Sequence, residues 1–201
     1  MKGVVLISGS GSNLQSLIDN ASSIDLSIEA VISNNKEAFG LHRAQQSNIP
    51  THALDHKLFS SREEFDQNLS QLINQYNPDI VILAGFMRIL TAEFTQKYVG
   101  RMLNIHPSLL PKFQGLNTHQ RALDAGETEH GVSVHFVTAK LDGGPIIAQS
   151  KVKVLASDDV ESLAKRVLIK EHKLFPEVIH WFTQDRLKLK KNQATLDGQP
   201  L

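Results

Sequence analysis

Two hydrophobic rhythms alternate along the chain. Short apolar runs bounded by glycine or polar residues read as strands, and stretches with apolar residues every three or four positions read as helices. Gly3 to Ser8, with Val4 to Ile7 unbroken, predicts a buried strand that Gly9 and Gly11 end; Leu14, Leu17 and Ile18 then predict a helix over Ser12 to Ala21. A second strand is expected near Ile28 to Ser33, a helix near Glu37 to Gln46, and a short strand near Thr51 to Leu54. Ser61 to Tyr76 is the clearest amphipathic helix: Phe65, Leu69, Leu72 and Ile73 make its stripe, Ser61 and Glu64 fit a capping box, and Pro78 stops it. Asp79 to Ala84 is almost wholly apolar, as a central parallel strand covered on both faces would be.

The second half has a different order. Leu103 to His106 reads as a strand and Thr118 to Ala125 as a helix. Gly131 to Thr138 and Ile146 to Val154 read as strands with no helix between them, so they are expected to pair antiparallel. A long helix over Asp158 to Phe182, with Pro176 inside it, closes the pattern. The expected fold is α/β: a single domain over 1–201 with an open mixed sheet, mostly parallel, Rossmann-like in its N-terminal half, with helices on both faces.

Composition narrows the function. The 201 residues are 41% hydrophobic and 21% charged, with no repeat or linker. Twenty-one basic side chains balance 21 acidic ones, which argues against a nucleic-acid coat or a polybasic membrane anchor. Without cysteine there is no disulfide, thiolate zinc site, iron–sulfur cluster or cysteine nucleophile. No apolar run approaches the ~18 residues of a membrane span, and the run after Met1 is too short for a secretory signal, so a cytoplasmic location is expected.

Three segments carry candidate chemistry. Ser8-Gly-Ser-Gly-Ser-Asn13 joins a strand to a helix, where backbone N–H groups and the helix dipole suit a phosphate. Leu14 stands where a dinucleotide fingerprint needs its third glycine, and Ser33, Asn34 and Asn35 stand where it needs an acid, so NAD is disfavoured. A tight turn with nothing bound fits the loop equally well. In Asn104-Ile-His-Pro107, strand alternation puts Asn104 and His106 on one face at a strand's C-terminal end, where open sheets bind ligands. An amide donor beside an imidazole suits acyl transfer: both can stabilise an oxyanion, and the imidazole can move a proton. Ser133 and His135 share a face in the same way. Asp142, before Gly143 and Gly144, is either part of a hairpin turn or a carboxylate that orients His106 and favours its charged form.

Five blocks in order make the chain resemble the phosphoribosylglycinamide formyltransferases. They are Leu6-Ile-Ser-Gly-Ser-Gly-Ser-Asn13, Leu83-Ala-Gly-Phe-Met-Arg-Ile-Leu90, Leu103-Asn-Ile-His-Pro-Ser-Leu-Leu-Pro111, Gly131-Val-Ser-Val-His-Phe136 and Leu141-Asp-Gly-Gly-Pro145. The resemblance implies the formyltransferase fold and transfer of the formyl group of 10-formyltetrahydrofolate to the amine of glycinamide ribonucleotide in purine biosynthesis, without a metal. It implies that Asn104, His106 and Asp142 are catalytic, with Ser133 and His135 beside them. Gly11, Ser12, Asn13 and Glu171 would hold the ribonucleotide. Arg62, Met87, Arg88, Ile89, Leu90, Thr138, Ala139, Lys140 and Leu141 would hold the folate. Residues 1–100 would then be the ribonucleotide-binding half, and 101–201 the half with the catalytic residues and part of the folate site. Protonated His106, supported by Asp142, would stabilise the tetrahedral intermediate with Asn104. The implied partners are small molecules, with no nucleic acid or membrane, and the chain would be a monomer or homodimer. Asn117 stands where the family often has His, and Leu168 where Gln is common.

Other readings compete. Methionyl-tRNA formyltransferase and formyltetrahydrofolate hydrolase share this core but carry a further domain, for which 201 residues leave no room. A metal hydrolase built from His106, His119, His130 and His135 lacks an HExxH motif. A non-catalytic nucleotide-binding module would bind without turnover.

Overall fold

The computed structural model describes all 201 residues. Five strands run parallel: β1 (Lys2–Ile7), β2 (Ser27–Ser33), β3 (Thr51–Ala53), β4 (Ile80–Leu83) and β5 (Met102–His106). β6 (Glu129–Phe136) joins β5 antiparallel and β7 (Ile146–Lys153) joins β6 antiparallel. The sheet order is β3-β2-β1-β4-β5-β6-β7. The chain leaves β1 toward one edge and returns to its other side at β4, which opens a crevice at the C-terminal ends of β1 and β4.

Alternation along the strands builds two cores. Val5, Ile7, Val31, Ile82, Leu103 and Ile105 face α1 (Ser12–Asn20), α2 (Phe39–Gln46) and α6 (Val160–Thr183). Val4, Leu6, Ile32, Val81, Leu83 and Met102 face α3 (Arg62–Asn74) and α4 (Ala92–Lys97). Being covered on both faces is why these strands read as continuous apolar runs. On β5 and β6 the second face turns polar. Asn104 lies beside Leu83 and opposite His135, and His106 lies opposite Ser133. The catalytic candidates thus replace the second apolar layer at one end of the sheet.

Pro176 sits inside the 24-residue α6. Proline has no N–H for the carbonyl four residues back, that of His172. The Ser16 hydroxyl donates to that carbonyl at 2.9 Å, so the proline also ties α6 to α1, the helix that follows the glycine loop.

Some expectations change. Ser61 caps α3 by accepting from the Glu64 N–H, but the Glu64 carboxylate accepts from the N–H and hydroxyl of Ser60, so the box closes one residue earlier than expected. α4 was not predicted, because six residues are too few to show a period. The C-terminal segment forms a separate three-stranded sheet from β8 (Leu187–Lys190), β9 (Gln193–Leu196) and β10 (Gln199–Pro200).

Candidate active site

A cleft of about 770 Å³ opens at the C-terminal ends of β4 and β5. Asn104, His106 and Asp142 line it together with Asn13, Arg62, Met87, Arg88, Ile89, Leu141 and Glu171, residues drawn from all parts of the chain. A narrower slot of about 70 Å³ shares Arg88, Ile89, Asn104, Leu141 and Asp142 with the cleft, and adds Leu90, His135, Thr138, Ala139 and Lys140. All the expected folate residues lie on one of these two walls.

The catalytic candidates meet at the floor. His106 is 5% exposed, and its Nε2–H donates to the Phe113 carbonyl at 2.9 Å. Its Nδ1 lies 3.4 Å from Asp142 Oδ2. The other carboxylate oxygen, Oδ1, is 3.5 Å from Asn104 Nδ2 and 3.7 Å from His135 Nε2. The Gly115 N–H donates to Oδ2 at 2.9 Å. Asp142 adopts the left-handed region, φ 44°, on the loop between β6 and β7.

The charges follow from these contacts. Burial alone would raise the Asp142 carboxyl, but the neighbouring His135 ring, the hydrogen bond from the Gly115 amide and nearby imidazole charge hold it below the usual carboxylate range. His106 is pushed below its ordinary value by burial, which outweighs the Phe113 carbonyl and the Asp142 charge. In the free protein burial therefore works against a charged His106, while the Phe113 carbonyl and the Asp142 carboxylate work for it. Ser133 sits behind this floor and off the cleft wall. Its hydroxyl donates to the Ser108 carbonyl at 2.7 Å and accepts from the Leu110 N–H at 3.0 Å and Gln149 Nε2 at 2.8 Å.

At the other end of the cleft, Asn13 Nδ2 donates to Glu171 Oε2 at 2.6 Å. Burial raises the Glu171 carboxyl, and the Asn13 hydrogen bond offsets only part of the rise. Asn13 Oδ1 is buried without a partner. Gly11 and Ser12 stay off the cleft wall: Ser12 lines a small polar pocket with Arg43 and His172. Gly11 has φ +70° and packs on Gly40, whose Cα lies 2.5 Å from where a Gly11 Cβ would stand. The loop is therefore shaped by α2, a contact that no local motif announced.

The cleft wall also carries Gly115 and Leu116, which sequence reasoning missed, Gly85, which it gave no role of its own, and His119, which it placed only in the metal-hydrolase reading. Gly85, with φ +81°, follows β4 much as Gly9 follows β1, so its position was a readable signal. His119 Nδ1 and His130 Nε2 are 3.1 Å apart and bond each other; no three His, Asp or Glu side chains gather as metal ligands. Of the two departures, Asn117 lines the cleft and Leu168 does not.

A family model described as formyl transferase matches residues 1–179. The chain is 54% identical over 200 residues to phosphoribosylglycinamide formyltransferase of Escherichia coli (strain K12), covering 98% of this chain and 94% of that one. It is 47% identical over 190 residues to the trifunctional purine biosynthetic protein adenosine-3 of Homo sapiens, which covers 94% of this chain and 19% of that protein. A solved phosphoribosylglycinamide formyltransferase from Coxiella burnetii superposes with a TM-score of 0.97 at 52% identity, covering 100% of this chain and 95% of the other.

Proposed function

The chain belongs to the formyl transferase family, and from that premise we propose that it moves the formyl group of 10-formyltetrahydrofolate to the amine of glycinamide ribonucleotide, a step of purine biosynthesis. The observation that carries this reading is the meeting of Asn104, His106 and Asp142 at the floor of one cleft.

The two ends of the cleft suit two different substrates. Asn13 and Glu171, beside a helix N-terminus, offer hydrogen bonds to a phosphorylated sugar. The slot offers apolar walls from Leu83, Phe86, Leu90 and Val137 to a flat heteroaromatic ring. Arg88 Nε is buried there without a partner, a free donor that fits a polar ring edge. The folate is a substrate here, consumed once per turnover.

The proton count supports direct transfer. As the amine nitrogen bonds to the formyl carbon, one amine proton must leave, and the departing folate nitrogen must gain one. His106 and Asp142, with Nδ1 and Oδ2 3.4 Å apart, form a pair that can take up one proton. It passes that proton on when the carbon–nitrogen bond to folate breaks, so the enzyme ends as it began. Between those steps the imidazolium and the Asn104 amide stabilise the oxyanion. Ser133, with its hydroxyl fully engaged, serves as a support of the floor and not as a nucleophile.

The test follows formyl transfer by absorbance, with and without the ribonucleotide, for wild type, His106→Ala and Asp142→Ala. Turnover that requires the ribonucleotide and collapses in both variants is expected. Deformylation without ribonucleotide would point to a hydrolase, and binding without turnover to a binding module.

A further inference from the structure

Arg121 lies on α5 (Thr118–Asp124), off the cleft wall and outside every role described above. Its Nη1 donates to the carbonyls of Gln114 at 2.6 Å and Leu116 at 3.3 Å. Its guanidinium carbon is 5.5 Å from the centre of the Phe113 ring. One side chain thus fastens three residues of the segment 113–116.

That segment holds both members of the proton-passing pair. The Phe113 carbonyl accepts from His106 Nε2. The Gly115 N–H donates to the Asp142 carboxylate, and Gln114 Nε2 donates to the Asp142 carbonyl at 3.1 Å. Little else in the backbone keeps it in place. Residues 113–116 make no backbone–backbone hydrogen bond, and Phe113 takes a left-handed φ of 56°, a conformation that persists in a non-glycine residue only when its surroundings enforce it. The His130 ring, 6.1 Å from the Phe113 ring and edge-on to it, is the other brace.

We propose that Arg121 is a positioning residue for the transfer: it locks segment 113–116 so that His106 and Asp142 meet at proton-passing distance. The inference rests on the formyl-transfer reading. Arginine suits the role because one of its nitrogens reaches both carbonyls while the rest of the planar guanidinium lies over the ring; a lysine ammonium has a single nitrogen and no plane, so engaging the carbonyls leaves it nothing to lay over the ring.

The experiment compares wild type, Arg121→Gln and Arg121→Lys in three measurements: steady-state kinetics with both substrates, thermal unfolding, and NMR titration of the His106 ring in the free protein. The charged or titratable groups acting on His106 are Asp142, His135, Arg121 and the His119–His130 pair. Removing the Arg121 charge alone would raise the His106 midpoint; loosening the segment takes away the Phe113 carbonyl and the Asp142 contact and lowers it. Arg121→Lys keeps the charge and isolates the second effect. Expected results are a kcat about tenfold lower in both variants, as for a small misplacement of reacting groups, with KM values and melting temperature nearly unchanged. The His106 midpoint in Arg121→Lys is expected below that of wild type. A Lys variant with wild-type kcat and an unmoved His106 midpoint overturns the proposal; so does a kcat loss matched by a general loss of stability with no change at His106. If wild type itself transfers no formyl group, the reaction assignment fails, and the His106 midpoint still decides whether Arg121 positions the pair.

Discussion

His106 and Asp142 face each other with Nδ1 and Oδ2 3.4 Å apart, one on a strand and one on a loop, both side chains less than a tenth exposed. Burial disfavours charge on either group, and the hydrogen bonds to the carboxylate decide that Asp142 carries it. Asp142→Asn keeps the shape and removes the charge. We expect kcat to fall by about 10²-fold or more, the range of lost acid–base catalysis, with ribonucleotide KM little changed. The His106 midpoint should drop further, because Asp142 is one of the groups that raises it. Kinetics and NMR titration check both, and retained turnover would remove Asp142 from the mechanism.

Ser133→Ala separates support from nucleophilic chemistry. The substitution strands the buried Leu110 N–H and takes the hydroxyl donor from the Ser108 carbonyl, while Gln149 Nε2 keeps its bond to the Leu110 carbonyl. Stability should fall by about 1–3 kcal/mol, the cost of unmade buried hydrogen bonds. Turnover measured well below the melting temperature should stay within about tenfold of wild type, whereas a nucleophile's loss would cost far more. Denaturant unfolding and kinetics are the readouts.

Gly11→Ala tests the loop from behind. The new Cβ would stand 2.5 Å from the Gly40 Cα in a backbone conformation with φ +70°. Backbone must shift on both sides, so a loss of about 1–3 kcal/mol is expected. The ribonucleotide KM should rise more than the folate KM, because the displaced loop leads directly into Asn13. Equal changes in the two KM values would mean that the loop does not serve the ribonucleotide.

Much of this was legible in the sequence, and the gaps have physical causes. The apolar runs of β1 and β4 and the alternation in β5 report local burial, so the sheet and the shared face of Asn104 and His106 could be read directly. The meeting of Asp142 with His106 could not, because 36 residues separate them and a left-handed turn sets the aspartate's direction. The sign of the His106 shift was also hidden. It depends on how deeply the ring is buried in the folded chain, which no local periodicity reports. Gly40 and Arg121 act through loops they reach only in the folded chain.

Glu171→Gln should separate binding from stability. The carboxyl is 7% exposed and raised above its ordinary value by burial. A raised carboxyl costs folding stability as pH climbs from the unfolded value through the folded one, since the folded chain resists ionisation. Glutamine removes that cost and can still accept from Asn13 Nδ2. At neutral pH the variant is expected to melt at the wild-type temperature or above it, while its ribonucleotide KM rises about tenfold, the effect of losing a charged hydrogen-bond acceptor. A marked drop in melting temperature would mean that the negative charge itself holds α6 against α1.

Acid sensitivity should trace to His130. The ring is 1% exposed and its pKa is lowered from 6.5 to about 4, by burial first and then by the nearby His119 and His106. Between those values the unfolded chain binds a proton that the folded chain refuses, so stability falls as pH drops from about 6.5 toward 4. The shift corresponds to about 3 kcal/mol over the window, and His106 and His119, also lowered, add in the same direction. The Asp142 contribution has the same sign but is lost only below the ordinary carboxylate value of 3.8. His130→Gln can still accept from His119 and carries no titrating group. Urea unfolding at several pH values between about 4 and 7 should therefore show a shallower decline in the variant than in wild type. Parallel curves would shift the acid sensitivity to the other buried histidines.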